Sequence, residues 1–234
     1  MPGKIPVLRI VRGISAMDVH RSNDSDHELL SAWQGGDRRA GDLFIRHYGP
    51  SLARFFRNKL TTPADSHDLV QETFLALQRT SRRTGPAAAM TSVRAYLFSI
   101  ARRVLCAHLR KKYKRTSEAL DFGSVCVKQL EPTSMSALLM RRRELRVFIE
   151  ALRAIPLDDQ VLLEAKYFDA MSVREIGVLL GLPEPVVPGR LQRAKGRLRQ
   201  KIEEVSVQSH RMAPPEVGDD ALELWAQEIR ARLV

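Results

Sequence analysis

Residues 171–201 read "MSVREIGVLLGLPEPVVPGRLQRAKGRLRQK", two short helical segments separated by a glycine. Ser172, with Glu175 three residues later, predicts a capping box at the start of the first helix. Gly181 permits a tight turn, and a second, basic helix is expected from about Glu184. Two short helices joined by a glycine turn, the second one basic, predict a helix-turn-helix, whose second helix enters the DNA major groove.

The beginning of the second helix carries residues that oppose helix formation. Proline is tolerated in the first helical turn, and Gly189 costs up to ~1 kcal/mol relative to alanine. This composition favours a later start, near Pro188, with few hydrogen-bond donors at the helix tip. The residues of this unit expected to contact DNA are Ser172, Arg174, Glu184, Arg190, Arg193, Lys195 and Arg197. The alternative is a plain three-helix bundle whose basic face is only solvated.

The charge of the chain is strongly and unevenly positive. Its 234 residues carry a net charge of +11, which indicates an anionic partner such as nucleic acid or an acidic membrane face. A second basic segment, "YLFSIARRVLCAHLRKKYKR" at 96–115, has apolar residues at helical spacing and then a cationic end. One side of this helix is expected to pack inward while its far end contacts the anion. A solvated helix end, with cations near the C-terminal dipole, is the alternative.

Composition argues against several other classes of protein. No uninterrupted apolar run approaches the ~20 residues that cross a bilayer, so no membrane insertion is expected. Two cysteines make neither a disulfide framework nor a four-ligand zinc site, and a buried Cys106 suits a reducing cytoplasm. The sequence has no glycine-rich phosphate loop, metal-ligand spacing or nucleophile motif. The chain is therefore expected to be a non-enzymatic cytoplasmic protein without catalytic residues, metal or cofactor.

The sequence predicts an all-α protein, with two small helical domains joined by a flexible linker and a helix-turn-helix in the second. The expected divisions are a flexible arm over 1–24, a helical domain over 25–115, a linker over 116–137, a second helical domain over 138–204 and a C-terminal extension over 205–234. Within the first domain a helix break is expected at Gly49-Pro50. For the N-terminal segment, a flexible arm and a true start at Met17 both stay open. The extension holds an amphipathic helix, either docked on its own protein or binding a partner.

The segment "DLVQETF", residues 68–74, predicts a surface for a protein partner. Asp68, Gln71 and Glu72 are spaced to share one helical face. Leu69 and Phe74 are expected to add apolar contacts. An acidic and amide face suits a basic helical partner. Paired carboxylates also serve in acid–base catalysis, but the chain lacks the other motifs of an enzyme.

Longer stretches around these motifs resemble the sigma-70 family of sigma factors. "LRAIPLDDQVLLEAKYFDAMSVREIGVLLGLPEPVVPGRLQRAKGRLR" resembles the promoter-reading domain of the family. "DLVQETFLALQRT" resembles its polymerase-binding helix, and "VRAYLFSIARRVLCAHLRKKYKR" resembles its promoter-melting helix. The resemblance covers about residues 26–202, and the order of the two domains is similar to that of the short extracytoplasmic-function (ECF) group.

The resemblance implies two partners, bacterial core RNA polymerase and promoter DNA, and no cofactor. It assigns polymerase binding to Asp68, Leu69, Gln71, Glu72 and Phe74. It assigns promoter melting to Tyr96, Arg102, Arg103, Arg110, Lys111, Lys112 and Lys114. The loop at 81–92 lies where the family holds a flipped base, and the second domain would read the minus-thirty-five element. Whether an anti-sigma factor is a further partner stays open.

Three departures from the family pattern bear on DNA reading. Tyr96 stands where tryptophan is common, and Arg103 stands where asparagine is usual. Val186, Pro188 and Gly189 interrupt a usual Thr-Val-Lys/Arg-Ser-Arg run, which predicts weak or unusual reading of the minus-thirty-five element. Two other functions stay open. One is a dimeric helix-turn-helix regulator that does not bind polymerase, for which "DLVQETF" would have no role, and the other is a protein that sequesters polymerase or a regulator.

Overall fold

The computed structural model describes residues 23–84, 92–113, 120–130 and 143–208. Within these ranges the first domain comprises α1 (Asn23–Gln34), α2 (Arg38–Arg57), α3 (Pro63–Thr84) and α4 (Val93–Lys112). The helices that follow are α5 (Val127–Leu130), α6 (Arg143–Ala154), α7 (Leu157–Leu163), a π-helix (Glu164–Phe168), α8 (Val173–Leu180) and α9 (Val186–Gln208). The described β pairing is an isolated bridge between Cys126 and Pro156. The all-α prediction is confirmed.

Several predicted features lie outside the described residues. They are the N-terminal arm up to residue 22, most of the loop at 81–92, Lys114, the two ends of the linker and the extension beyond residue 208. Among the helices that the structure describes, none is both long enough and apolar enough to cross a bilayer.

The first domain folds around an aromatic core. Helical spacing on α1, α2 and α3 brings Trp33, Phe44 and Phe74 together, with ring centroids 5.4 Å apart for Trp33–Phe44 and 6.3 Å apart for Phe44–Phe74. Gly41 permits this close packing, because a Cβ at that position would lie 2.5 Å from the Trp33 ring. The core fixes α3 and α4, which carry the predicted contact residues of this domain.

Helix α2 continues through Gly49-Pro50, where the sequence predicted a break. Proline lacks the N–H of one helical hydrogen bond and costs about 3 kcal/mol inside a helix. The neighbouring side chains are buried, however, with Tyr48 3% exposed and Leu52 0% exposed. Burying side chains of this size contributes about 1.5–3 kcal/mol each. The predicted break is wrong because core packing outweighs the local cost of the proline.

The helix-turn-helix forms as the sequence predicts. Ser172 caps α8 in a capping box with Glu175, and Gly181 ends the helix in the left-handed region at φ 67°, where glycine carries no steric penalty. Helix α9 begins at Val186. Pro188 therefore lies in the first turn, where a backbone N–H has no helical partner. The start at Val186 lies between Glu184 and Pro188, the two positions that the sequence suggested.

Part of the predicted linker is packed. Residues 120–130 form a turn followed by α5, and within them Phe122 is buried. The backbone N–H groups of Leu157 and Asp158 donate to the carbonyls of Val125 and Phe122 at 3.0 and 3.1 Å. This apolar side chain and these hydrogen bonds fix the segment at the start of α7. The sequence lacks a helical period here, and that absence gave no sign that the segment is packed.

The two domains pack against each other, with α8 of the second domain against α4 of the first. One hydrophobic cluster includes Phe55 on α2, Leu97 on α4 and Ile176 on α8. Charged side chains lie in the same contact region, where Lys59 is 0% and Glu164 2% exposed. The positions of the predicted DNA-binding residues are therefore set by the contact between the domains as well as by each domain alone.

Candidate polymerase and nucleic-acid interfaces

Helix α3 presents polar side chains to solvent at the predicted partner surface. Asp68 and Glu72 are exposed and Gln71 is half-buried, as expected for residues three and four positions apart on one helix. Leu69 and Phe74 are instead 4% and 2% exposed and belong to the core. The structure corrects their assignment as partner contacts, because both side chains hold α3 on the rest of the domain.

Leu75 supplies the exposed apolar side chain that the sequence reasoning missed. It is 40% exposed, and it lies seven residues after Asp68 and three after Glu72, on the same helical face. That heptad spacing was the available signal in the sequence. We call Asp68, Gln71, Glu72 and Leu75 the α3 stripe.

Helix α4 has a buried inner face and a cationic end. Ser92 caps the helix by accepting a hydrogen bond from the Ala95 N–H at 3.2 Å, and Tyr96 is half-buried against the core. Cations in the last turn interact favourably with the helix dipole. The buried side chains are Val93, Ala95, Leu97, Phe98, Ile100, Ala101, Val104, Leu105, Cys106 and Leu109. The exposed cations are Arg103, Arg110, Lys111 and Lys112.

Neighbouring side chains contact two of these cations. The Arg110 guanidinium lies 4.9 Å from the centroid of the Phe122 ring, and Lys112 Nζ lies 3.7 Å from Asp65 Oδ2. Near them, the Tyr113 hydroxyl donates to the carbonyl of Leu130. The packed segment 120–130 thus contacts the cationic end of α4 on one side.

Arg102 faces the second domain rather than solvent. Its Nε and Nη2 donate to Asp158 Oδ1 at 3.0 and 2.6 Å, so its charge is paired in this arrangement. Asp158 Oδ2 also lies 3.6 Å from Arg190 Nη2 of α9. One carboxylate therefore contacts a predicted DNA-binding residue of each domain.

The predicted DNA-binding residues of the second domain are mostly at the surface. Those that are exposed are Ser172, Arg174, Glu184, Arg193 and Arg197. Arg190 is half-buried, with its Nε 3.5 Å from Asp159 Oδ1, and Arg197 forms an ion pair with the same carboxylate group. Lys195 is 7% exposed. The structure corrects the assignment of Lys195 as a DNA contact, because its position beside Ala194 lies at the edge of the inward stripe of α9.

The exposed tip of α9 has few hydrogen-bond donors. Val186 is 44% exposed, and Pro188 and Gly189 are also exposed. Specific reading of base edges in the major groove relies on side-chain donors and acceptors, whereas apolar groups contact the thymine methyl group. The tip is therefore poorly equipped for hydrogen bonding to bases.

Ion pairs between the domains share one polarity. The pairs are Arg54–Asp169, Lys59–Glu164, Arg94–Glu175 and Arg102–Asp158. In each of these four, the cation belongs to the first domain and the carboxylate to the second. The first two pairs are buried and the last two lie at the edge of the contact. The second domain thus presents an acidic face to a basic face of the first.

Burial and pairing shift the pKa values of these groups in different directions. Burial lowers the pKa of Lys59 and raises the pKa of Asp169, so each charged form depends on its partner. Burial acts to raise the pKa of Glu175 as well. The Ser172 backbone N–H and the Arg94 guanidinium outweigh it and hold the pKa of Glu175 below its usual value of 4.5.

Among the residues that the structure describes, no group of three His, Cys, Asp or Glu side chains is placed to hold a metal ion. Cys106 and Cys126 are free and buried, and burial raises the pKa of the Cys106 thiol. The thiolate is the reactive form of cysteine, and a raised pKa disfavours it. Cys106 therefore serves as a core residue.

The described residues thus combine a helix-turn-helix in one domain with a helix that ends in exposed cations in the other, a combination typical of DNA-binding proteins. The family description "Sigma-70 region 2" matches residues 44–115, and "Sigma-70, region 4" matches residues 145–198. Together the matches cover more than half of the chain, in the order of the two domains. The chain belongs to the sigma-70 family of sigma factors and is of the ECF type.

Relatives of similar sequence are also named as sigma factors. "ECF RNA polymerase sigma factor RpoE" of Cereibacter sphaeroides is 24% identical over 166 residues, which are 71% of this chain and 88% of that protein. "ECF RNA polymerase sigma factor SigM" of Mycobacterium tuberculosis is 27% identical over 183 residues, which are 78% of this chain and 87% of SigM. "Probable RNA polymerase sigma factor RfaY" of Xanthomonas campestris is 29% identical over 140 residues, which are 59% of this chain and 34% of RfaY. The chain therefore spans about a third of the length of RfaY.

A solved structure has a similar fold. It is "Structure of CnrH in complex with the cytosolic domain of CnrY", with a TM-score of 0.55 and 20% sequence identity, covering 77% of this chain and 99% of that chain. At this identity the similarity concerns the fold alone. It agrees with the arrangement of two helical domains.

Proposed function

We propose that this protein is an ECF sigma factor that binds core RNA polymerase through the α3 stripe and directs promoter recognition and melting. Membership of the sigma-70 family supports the role of an initiation subunit. The observation that carries the polymerase assignment is the stripe itself, in which exposed Asp68 and Glu72 accompany Leu75, 40% exposed. Carboxylates around an apolar side chain suit a basic helical partner. In this role the protein positions polymerase and DNA and supplies no catalytic group.

The cationic end of α4 is proposed to lie along the promoter at the minus-ten element. Arg103, Arg110 and Lys111 are exposed there. Such side chains neutralise phosphates and release counterions, which gives an affinity that falls as salt rises. Strand separation is favoured when unstacked bases are held by the protein and the displaced strand lies on a basic surface. The helix end combines this basic surface with a rigid, buried inner face.

The second domain is proposed to contact the minus-thirty-five element weakly or by unusual contacts. The tip of α9 offers Val186, Pro188 and Gly189 instead of side chains with donors. Arg190 already forms ion pairs within the domain, with its Nη2 3.6 Å from Asp158 Oδ2 and its Nε 3.5 Å from Asp159 Oδ1. Arg193 remains as an exposed cation in the next turn. Most affinity at this element would then come from the phosphate backbone rather than from bases.

The proposal includes a cytoplasmic location and an anti-sigma factor as a further partner. Core polymerase and promoter DNA are cytoplasmic in bacteria, and a protein that binds both acts there. The solved structure of similar fold is a complex of CnrH with the cytosolic domain of CnrY, so a protein with this fold is able to bind a second protein.

Co-purification with bacterial core RNA polymerase tests the polymerase assignment. Asp68→Arg/Gln71→Ala changes surface groups, so the fold should persist while polymerase binding is lost. Glu28→Arg reverses an exposed carboxylate on α1, outside the stripe, and should bind like the wild type. Failure of the wild-type protein to bind polymerase would contradict the proposal and favour a helix-turn-helix regulator.

A further inference from the structure

The beginning of α9 presents an apolar side chain to solvent. Val186 is 44% exposed, whereas the adjacent Val187 is 0% exposed and belongs to the hydrophobic core. Pro185 and Pro188 are exposed beside them. The next position on the helical face of Val186 is Gly189, which has no side chain that could cover it. The tip of α9 therefore carries an uncovered isopropyl group.

The backbone of this tip has few hydrogen-bond donors to offer. The first N–H groups of a helix have no helical partner and are a common binding site for phosphates. Here the Val186 N–H donates to the carbonyl of Pro183 at 3.0 Å, and the Val187 N–H donates to the carbonyl of Glu184 at 3.2 Å. Pro188 has no N–H at all. The start of α9 is therefore poorly suited to phosphates, and the chemistry that it exposes is apolar.

Charged side chains near the tip indicate what kind of surface it faces. Arg193 lies two turns after Val186 on the same helical face and is exposed, and Arg174 of α8 is exposed as well. These cations favour a partner with negative charge. Glu184, exposed directly before the helix, is favoured by the helix dipole and repelled by phosphates. An anionic partner that carries apolar groups away from its phosphates fits this arrangement.

The major groove of DNA offers apolar groups of this kind. In a helix-turn-helix, the N-terminal residues of the second helix contact the base edges in that groove. Each thymine presents its C5 methyl group there, beside the O4 acceptor, and apolar side chains contact this methyl group. An isopropyl group can therefore distinguish thymine from other bases without any hydrogen bond.

We propose that Val186 is a specificity-determining residue that contacts the methyl group of a thymine in the DNA bound by the helix-turn-helix. The proposal rests on the proposed function of the second domain at the minus-thirty-five element, and it names the base feature that is read there. Arg193 and the other exposed cations supply affinity that is common to all sequences. The methyl contact adds a preference for thymine, which corresponds to about fourfold in the dissociation constant for one buried methyl group.

Removing the methyl group from the DNA and the isopropyl group from the protein tests the proposal as a double-mutant cycle. Full-length protein, alone and with core polymerase added, first selects duplexes from a library of random sequence. The selected duplexes are then synthesised with uracil in place of thymine, one position at a time. Uracil pairs with adenine as thymine does and lacks only the methyl group. Fluorescence anisotropy gives the dissociation constant of each duplex.

The variant Val186→Ala removes the proposed contact without endangering the fold, because the side chain is exposed and alanine favours a helix more than valine does. Val207→Ala is the matched control. Val207 is 71% exposed on the same helix, and it lies about 30 Å further along α9. Both variants therefore lose the same exposed atoms from α9, but only one loses them at the tip.

We expect the selected duplexes to share a thymine at which uracil raises the dissociation constant about fourfold, for wild type and for Val207→Ala alike. Val186→Ala should bind the thymine and uracil duplexes equally well. A uracil penalty that persists in Val186→Ala would overturn the proposal, as would the selection of no common sequence. Equal binding of thymine and uracil duplexes by the wild-type protein would overturn it too and would favour a protein partner for the apolar tip.

The proposed function is judged by separate measurements. If the wild-type protein binds core polymerase and gives new transcription start sites, the proposed function stands even when uracil has no effect. If it does neither, the proposed function is contradicted, whatever the duplexes show.

Discussion

Lys59 and Glu164 form an ion pair between the two domains with side chains 0% and 3% exposed. Lys59 Nζ also donates to the Phe55 carbonyl at 3.0 Å and lies 3.9 Å from the Phe55 ring centroid. On the other side, Gln160 Nε2 donates to Glu164 Oε1 at 2.8 Å. A buried pair with such satisfied partners adds little net stability, but it specifies which groups of the two domains face each other.

Removing one partner of this pair should be costly. Lys59→Met leaves Glu164 buried without its cation, and we expect the free energy of unfolding to fall by about 3–5 kcal/mol. Lys59→Met/Glu164→Met, which removes both charges, should recover most of that loss. Denaturant unfolding of the two variants checks the prediction. A single variant within 1 kcal/mol of wild type would show that the pair is not desolvated in solution.

Substitutions at two adjacent residues of α3 should affect different properties, one the stability of the fold and the other the binding of polymerase. Phe74 is 2% exposed, so Phe74→Ala should lower the free energy of unfolding by about 3–5 kcal/mol. Leu75 is 40% exposed, so Leu75→Ala should leave thermal unfolding nearly unchanged and weaken binding to core polymerase. Melting curves and a polymerase titration, run side by side, measure both effects. The assignment of the α3 stripe fails if Leu75→Ala binds as wild type does.

The glycines of α9 should be replaceable with a gain in stability. A Cβ at Gly189 would meet Arg193 Nη1 at 3.6 Å, and a Cβ at Gly196 would have nothing within 4 Å. Gly189→Ala and Gly196→Ala should each raise the free energy of unfolding by about 0.5–1 kcal/mol. Gly41→Ala is the contrasting variant, because its Cβ would lie 2.5 Å from Trp33, and it should destabilise the protein. Thermal unfolding distinguishes these outcomes, and a loss of stability in both α9 variants would argue against the α9 geometry.

Donors restored at the α9 tip should strengthen DNA reading. Pro188→Lys/Gly189→Ser places a cation and a hydroxyl on an exposed surface, where both can reach the DNA. We expect tighter binding to a minus-thirty-five duplex. A binding titration against wild type measures the effect. An unchanged affinity would contradict the proposal that these two positions limit DNA recognition.

The Glu175 carboxylate should make the contact between domains sensitive to acid. Its pKa lies below 4.5 in the folded protein, so its stabilising contribution is fully present above the unfolded value and is lost as pH falls through the lowered pKa. The stability advantage of wild type over Glu175→Gln should therefore be constant near neutral pH and shrink below pH 4.5. Denaturant unfolding of both proteins across this pH range measures whether the advantage shrinks as the pH falls. An advantage that persists unchanged in strong acid would contradict the pairing with Arg94.

Signals within a few residues predicted the local structure well. Ser172 with Glu175 marks the start of α8 and Gly181 marks its end, and the structure confirms both. The break expected at Gly49-Pro50 failed, because the proline penalty is local whereas the burial of Tyr48 and its neighbours depends on the tertiary fold.

Side-chain exposure was harder to predict than helix position. Leu69 and Phe74 were apolar enough to serve either a partner or the core, and the structure places them in the core. Lys195 is buried although its neighbours on α9 are cationic and exposed. The pairing of Arg102 with Asp158 spans 56 residues, and no periodicity in the sequence encodes such a contact.

The most direct test of sigma-factor activity is to map transcription start sites on a genomic promoter pool with purified core polymerase. We expect new start sites with the wild-type protein and none with Asp68→Arg/Gln71→Ala. The sequences upstream of the new start sites would define the promoter motif. Start sites identical to those of core polymerase alone, despite binding of the wild-type protein to polymerase, would contradict the assignment as a working sigma factor.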